Sequence, residues 1–399
     1  MEATLQRHAD EFKIVFEPGH AIFDLSQENA AVFAALEQQE MRLKDTFATI
    51  RTLIPLPVSA KPSTTGPFYR LPSHNRSFCY SLAQSDSFFD GGALVFKGTE
   101  PLLADFPALV SWMLQAPLRK SRRVMADHFP LAEGKIPGVL TLKEAKREAQ
   151  IALEVQRRHL HYYGVLARTP TPLAIYQLPQ VQVAQIRSVL GRKLSKPAFD
   201  RIEAPLEQGV AIYIYHYPAP PIRTNYWGGA SSAQLSDHIK RHFNPEAAIS
   251  GWSKLLVRLL YLGFLPYTVR NEGLGACMDF GNATLDGGFC DPDSIVPMEE
   301  SPDDEFFRES VIQSLEILET TVRLMLGFSD TPDLYPSIES FACRRYVQHL
   351  VLEAITSEKV PELRLDERFA KLIAPRSIAD LNSCVTRKTR ALSYSQFGK

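Results

Sequence analysis

Residues 271–294 read NEGLGACMDFGNATLDGGFCDPDS, a glycine-rich polar stretch that holds five hard oxygen donors: Asp279, Asn282, Asp286, Asp291 and Asp293. On its N-terminal side Ile249, Trp252, Leu256 and Leu259 recur at helical spacing. On its C-terminal side Phe307, Val311, Leu315, Leu318, Val322 and Leu326 do the same. A long irregular loop between two amphipathic helices is more often functional than filler, because irregular backbone needs a reason to be ordered. Its donors suit magnesium, which prefers hard oxygens and completes its shell with water and substrate phosphates. They do not suit a calcium EF-hand, which needs oxygen ligands at alternate positions and a distal Glu.

Towards the N-terminus the patterns change period. Asp90-Gly91-Gly92 introduces an apolar strand, Ala93 to Phe96, that ends in Lys97. Thr141 and Glu144 form a capping-box pattern for a helix running to Tyr163, with Gly164 suited to its end. That helix carries Glu148 and Glu154. Leu173 to Leu178 and Val210 to Tyr217 read as strands, the second alternating Ile212 and Ile214 with Tyr213 and Tyr215 until Pro218, Pro220 and Pro221 stop it. Further out, Phe12 to Phe16 and Ala21 to Leu25 flank Pro18-Gly19 and predict a hairpin. A helix capped by Ser26 follows, and Pro55 to Pro67 reads as a connector.

The expected architecture is therefore α+β and two-lobed. Residues 1–67 form an N-terminal extension, 68–222 a strand-rich N-terminal lobe and 223–399 a helical C-terminal lobe, with a ligand cleft between the lobes. At 399 residues, 45% hydrophobic and 22% charged, the chain has ordinary globular usage rather than that of a disordered one. Its 44 basic and 45 acidic residues nearly cancel, which argues against nucleic acid and against anionic lipid as partners. Arg119, Lys120, Arg122 and Arg123 are the local exception and read as a solvated face. Five scattered cysteines without a CxxC pair predict reduced thiols rather than a disulfide framework or zinc knuckle. The charged start and the lack of any stretch near the roughly 18 apolar residues of a membrane span predict a cytoplasmic protein without membrane attachment.

Phosphoryl chemistry is mostly positioning and charge neutralisation: a strand Lys on the nucleotide phosphates, a helix Glu holding that Lys, then an Asn and an Asp on magnesium. The chain supplies these types in that order as Lys97, Glu148 or Glu154, Asn282 and Asp291. In this it resembles the protein-kinase-like superfamily, above all its selenoprotein O branch. The residues carrying the resemblance are Val95-Phe96-Lys97-Gly98, Arg147-Glu148-Ala149, Pro170-Thr171-Pro172-Leu173-Ala174, Leu262-Gly263-Phe264, and Met278-Asp279-Phe280-Gly281-Asn282 through Asp291. The resemblance implies a two-lobed kinase-like fold binding ATP with Mg2+ or Mn2+. Lys97 and the Gly91-Gly92 pair would contact the nucleotide, Glu148 or Glu154 would pair with Lys97, and Asn282 and Asp291, with Asp293 beside them, would hold the metal. Members of this branch transfer AMP from ATP to protein hydroxyls, whereas the wider superfamily transfers the terminal phosphoryl group. The acceptor class is accordingly a protein, a peptide or a small hydroxyl compound. The sequence departs from the family in having Gly281 directly before Asn282, with Asp279 the nearest carboxylate and candidate base, and in having Pro292 after Asp291. Those departures leave a nucleotide-binding pseudokinase or scaffold as an alternative.

Other constellations compete. Asp291-Pro292-Asp293 is a DxD triplet of the kind many glycosyltransferases use to hold a metal and a nucleotide sugar. His238 and His242 share a helical face but have no evident third zinc ligand, and His159 and His161, two apart on a helix, point different ways. Cys277 and Cys290 flank the polar stretch and read as small buried hydrophobes. Tyr213, Tyr215, Tyr217, Tyr226 and Trp227 fit two readings equally: a platform that stacks on a base or lines a peptide groove, and a half-exposed aromatic face packed over by the second lobe. No GxSxG elbow, P-loop or strand-to-helix GxGxxG occurs.

Overall fold

The computed structural model describes residues 14–15, 21–40, 43, 55–56, 68–69, 77–83, 91–98, 139–193, 196–224, 241–266, 282–292 and 295–300, with isolated helical residues between 304 and 357. The protein is mixed α+β and divides into two compact units, one of residues 1–153 with 170–220, the other of residues 154–169 with 221–399. The second unit thus opens its main segment at Pro221, against residue 223 expected from the sequence. No described helix is long and apolar enough to cross a membrane.

The first unit is built on an antiparallel sheet. Its strands are β2 (Ala21–Asp24), β4 (Phe68–Tyr69), β5 (Ser77–Ser81), β6 (Ala93–Lys97), β7 (Leu140–Thr141), β8 (Thr171–Gln177) and β9 (Val210–Tyr217). They lie in the order β2-β8-β9-β6-β5-β4, with β7 beside the start of β9. Three of them, β4, β5 and β6, form a meander in which Lys97 closes the third strand opposite Ser77. On its other side Lys97 faces Tyr213 of β9. Because β9 is central it is covered on both faces, and all eight of its residues are buried. The tyrosine face expected to be half exposed is therefore core, with Tyr213, Tyr215 and Tyr217 all closed to solvent.

Between β7 and β8 runs α3 (Leu142–Tyr163). Its start is the capping box legible in the sequence: the Glu144 amide donates to Thr141 Oγ1 at 3.2 Å, while the Thr141 amide donates back to Glu144 Oε2 at 3.0 Å. Buried Ala145, Glu148, Ala149, Ala152, Val155, Gln156 and His159 make one stripe at three- and four-residue spacing. The small alanines let that face approach its neighbours closely. Gly164 ends the helix with φ of +70°.

Two helices not expected from the sequence, α4 (Gln180–Lys193) and α5 (Lys196–Glu207), fill the connection from β8 to β9. Val183, Ile186 and Leu190 on one, Ile202 and Leu206 on the other, supply their buried positions. The N-terminal hairpin does not form. Instead β1 (Ile14–Val15) pairs with β3 (Pro55–Leu56), inside the expected connector, and β2 joins the main sheet along β8. The single helix expected after Ser26 is two, α1 (Leu25–Glu28) and α2 (Ala30–Gln39), capped by the side chains of Asp24 and Asn29.

In the second unit α6 (Pro245–Tyr261) starts where Asn244 Oδ1 accepts from the Ala247 amide at 3.1 Å and Pro245 occupies the first turn. It precedes β10 (Phe264–Leu265), which pairs antiparallel with β11 (Val296–Pro297).

Candidate functional site

In the first unit Lys97 Nζ donates to both carboxylate oxygens of Glu148, at 2.7 and 2.8 Å. The two residues are 6% and 3% exposed. The contact joins the end of β6 to the buried stripe of α3. Glu154, the alternative partner, lies off that stripe and is bound by Arg157 and Arg158 at 2.6 Å. The Arg157 guanidinium, then that of Arg158, holds the Glu154 carboxyl below its ordinary range against partial burial. Gly98, directly after Lys97, has φ of +94°, and a Cβ there would come within 2.6 Å of the Ala211 carbonyl oxygen. Glycine directly after Lys97 is thus a requirement of the turn.

Gly91 and Gly92 sit at the other end of β6, about 16 Å from Lys97 at ~3.3 Å per strand residue. There the Leu82 amide donates to the Gly92 carbonyl at 2.9 Å and closes the β5–β6 neck. A Cβ on Gly91 would lie 2.8 Å from Ala83 Cα, and one on Gly92 would lie 2.7 Å from Glu40 Oε2 and 2.8 Å from His216 Nε2. Packing requires both glycines, and the length of β6 separates them from Lys97.

In the second unit the described part of the polar stretch, residues 282–292, is a tight reversal. The Cys290 amide donates to the Asn282 carbonyl at 3.0 Å, so the backbone brings Asn282 alongside Asp291. The turn is held from three sides. Trp252 Nε1 of α6 donates to the Thr284 carbonyl at 2.9 Å, and Gly251 and Gly287 meet backbone to backbone. The Phe289 amide donates to the Arg168 carbonyl at 3.0 Å, while the Arg168 guanidinium donates to the Asp286 carbonyl. The Thr224 amide donates to the Ala283 carbonyl at 2.9 Å and the Leu285 amide to the Ile222 carbonyl at 2.9 Å.

These contacts separate the donors by role. Asp286 accepts from Thr284 Oγ1 at 2.6 Å, and burial pushes its carboxyl above the usual range, so it belongs to the turn and not to a ligand shell. Asn282 and Asp291 stand on neighbouring arms of the reversal, and the Asp291 carboxylate stands 4.0 Å from the Arg223 guanidinium. Among the described residues no group of three or more His, Cys, Asp or Glu is placed to hold a metal. Magnesium needs less, one or two protein oxygens plus water and phosphate, and Asn282 with Asp291 fits that requirement. Asp279 and Asp293 lie outside the described residues, as do Cys277, His238, Tyr226, Trp227 and the basic cluster at 119–123.

Of the remaining candidates, His159 is structural: its Nδ1–H donates to the Val165 carbonyl at 2.7 Å, and Arg258 donates to its Nε2 at 3.4 Å. His161 and His242 are exposed. Cys290 is buried, its Sγ 3.2 Å from the Asn282 carbonyl. Arg168 and Arg223 were not singled out by the sequence, since each meets the turn from a distant point in the chain.

Compared with protein-family models, with curated proteins and with solved structures, the chain matches none.

Proposed function

We propose that the chain binds ATP with magnesium on a two-lobed protein-kinase-like fold and transfers a phosphoryl or adenylyl group to a hydroxyl acceptor on a protein, peptide or small molecule. The observation that carries this reading is the buried Lys97–Glu148 pair. A lysine on the third strand of a meander, held by a glutamate on the helix that follows, is the arrangement protein kinases use to grip nucleotide phosphates. A buried ion pair is a poor way to gain stability, because desolvation offsets most of the attraction. Its presence at a strand end is better accounted for by a ligand whose charge Lys97 must meet.

On this reading Glu148 fixes the Lys97 ammonium, and the Lys97 charge meets the phosphate oxygens. Asn282 and Asp291 would hold the magnesium, which supplies charge neutralisation on the phosphates. The acceptor oxygen forms a bond to phosphorus as the bond to the leaving ADP or pyrophosphate breaks, and the acceptor proton passes to a base. Asp279 is the candidate for that base. The antiparallel sheet of the first unit is not the parallel, helix-alternating scaffold that a DxD glycosyltransferase reading of Asp291-Pro292-Asp293 requires. Gly281 before Asn282 and Pro292 after Asp291 favour a second reading, a nucleotide-binding pseudokinase without turnover.

Thermal unfolding with and without ATP, a non-hydrolysable analogue, Mg2+ and Mn2+ tests the reading. A ligand binding only the folded state at 100 times its Kd adds about 2.7 kcal/mol. The expected result is a metal-dependent rise in Tm with ATP that is lost in Asp291→Ala and in Lys97→Ala. No shift with any nucleotide would leave a scaffold, and a shift without label transfer from ATP to any acceptor would leave a pseudokinase.

A further inference from the structure

We infer that Arg223 makes the Asn282–Asp291 turn accept its metal as a metal–polyphosphate complex and reject the bare dication, an inference that rests on the nucleotide reading above. Two observations support it. The Arg223 Nη2 stands 4.0 Å from Asp291 Oδ2, with the two side chains 19% and 17% exposed. The Arg223 backbone is also bound into the turn itself. It bridges Thr284 in antiparallel fashion, and the residues on either side of it bond to Leu285 and Ala283. The residue that carries the guanidinium is therefore part of the turn's own backbone pairing.

A guanidinium carries its charge at every accessible pH and presents a planar fork suited to paired oxygens. At 4.0 Å it faces the Asp291 carboxylate as a charge partner. A bare dication entering there would take that carboxylate and find a permanent cation beside it, with no new anion to balance the pair. A dication arriving on a polyphosphate brings several negative charges. The Arg223 fork then exchanges the carboxylate for phosphate oxygens, which it can engage bidentately, while Asp291 turns to the metal. The exchange gives the site a preference for the loaded nucleotide over free magnesium.

Full-length protein and its R223Q and R223K variants would be titrated with MgCl2 alone and with Mg2+ and ATP together, each by calorimetry and by Tm. Wild type is expected to respond weakly to MgCl2 and strongly to the mixture. R223Q is expected to bind bare Mg2+ about fivefold more tightly, the scale of a partly exposed ion pair. It should also bind Mg-ATP at least about tenfold more weakly, the loss expected with one charge-assisted hydrogen bond. R223K, which keeps the charge and loses the fork, should still exclude bare Mg2+ and lose part of the Mg-ATP affinity, and it guards against a folding defect in R223Q. Opposite movement of the two affinities is the signature of the exchange; movement in the same direction, or none, overturns it. A wild-type chain indifferent to Mg-ATP would remove the nucleotide reading and this inference together, whereas a responsive wild type with an unchanged R223Q would remove this inference alone.

Discussion

Lys97 and Glu148 place opposite charges where almost no water reaches them, and that fixes what their removal costs. Taking away one partner strands a buried charge, so Lys97→Met or Glu148→Leu should each lower stability by roughly 3–5 kcal/mol, whereas the double variant Lys97→Met/Glu148→Leu should lose far less. Urea midpoints of the three variants measure this. A double variant as damaged as the sum of the singles would mean the pair is there for the fold, and the argument from ligand charge would lose its force. Asp286 poses the opposite case, a carboxyl on which desolvation outweighs its polar partners. Burial, partly offset by the Thr284 hydroxyl, raises its affinity for a proton in the folded chain. The folded state therefore binds more protons than the unfolded one above the ordinary Asp value near 3.9, and this residue's contribution to stability falls as pH rises from there through the raised value. Asp286→Asn keeps an oxygen for Thr284 and removes the charge. It should unfold at an equal or higher denaturant concentration than wild type at neutral pH, and at acid pH the two should converge. A variant less stable than wild type at neutral pH would contradict the assignment.

Elements whose ends are set locally were legible; those set by distant partners were not. The Thr141–Glu144 box and Gly164 mark the ends of α3 in the sequence because each acts within one turn. Thr141→Ala should cost ~1 kcal/mol of stability, read from the unfolding midpoint. The span of β9 was equally clear, since Gly209 and Pro218 bound a continuous β-branched and aromatic run, but its exposure was not. A strand in mid-sheet buries both faces, and alternating tyrosines on a half-covered strand would look the same in sequence. β2 pairs with β8, far along the chain, and nothing near Pro18-Gly19 encodes a partner so remote. In α4 and α5 the sparse apolar positions are broken by Gly191, Pro197 and Pro205 and so hide their helical period. For the site, the residue types and order of Lys97, a helix Glu, Asn282 and Asp291 were readable. Glu148 could have been preferred to Glu154 because it falls on the alanine stripe of α3. Asp286 was inseparable from Asp291, because only burial distinguishes two aspartates five positions apart. The contact of α6 with the 282–291 turn supplies a sharper test of the site's support. A Cβ on Gly251 would lie 2.9 Å from Gly287 Cα, with backbone on both sides and nothing to yield. Gly251→Ala should cost about 1–3 kcal/mol and, on the proposed reading, weaken Mg-ATP binding, while Gly191→Ala, which meets only ordinary contacts inside a helix, should hold or raise stability and leave binding unchanged.

Neither compact unit is one continuous piece of chain, and this determines how the molecule can be divided. Residues 154–169 belong with the second unit although the chain on both sides belongs with the first. Partners that come after residue 221 hold the segment. Arg158 donates to the Leu262 carbonyl at 2.8 Å and lies 4.8 Å from the Phe264 ring, Arg258 covers the Tyr163 ring at 4.5 Å, and the Phe289 amide reaches the Arg168 carbonyl. The Gln156 side-chain amide, which donates to the Ala167 and Thr169 carbonyls, adds a tie internal to the segment. A fragment ending at Pro220 therefore keeps the sheet and the Lys97–Glu148 pair and loses what anchors the last two turns of α3. Helical ends without tertiary partners open at little free-energy cost. Hydrogen exchange should show amides 145–152 protected in fragment 1–220 and amides 156–163 exchanging at least about tenfold faster than in the full chain. Supplying residues 221–399 in trans should restore them. Uniform protection along α3 in the isolated fragment would place the whole helix with the sheet, and the partners beyond residue 221 would then be incidental to its second half.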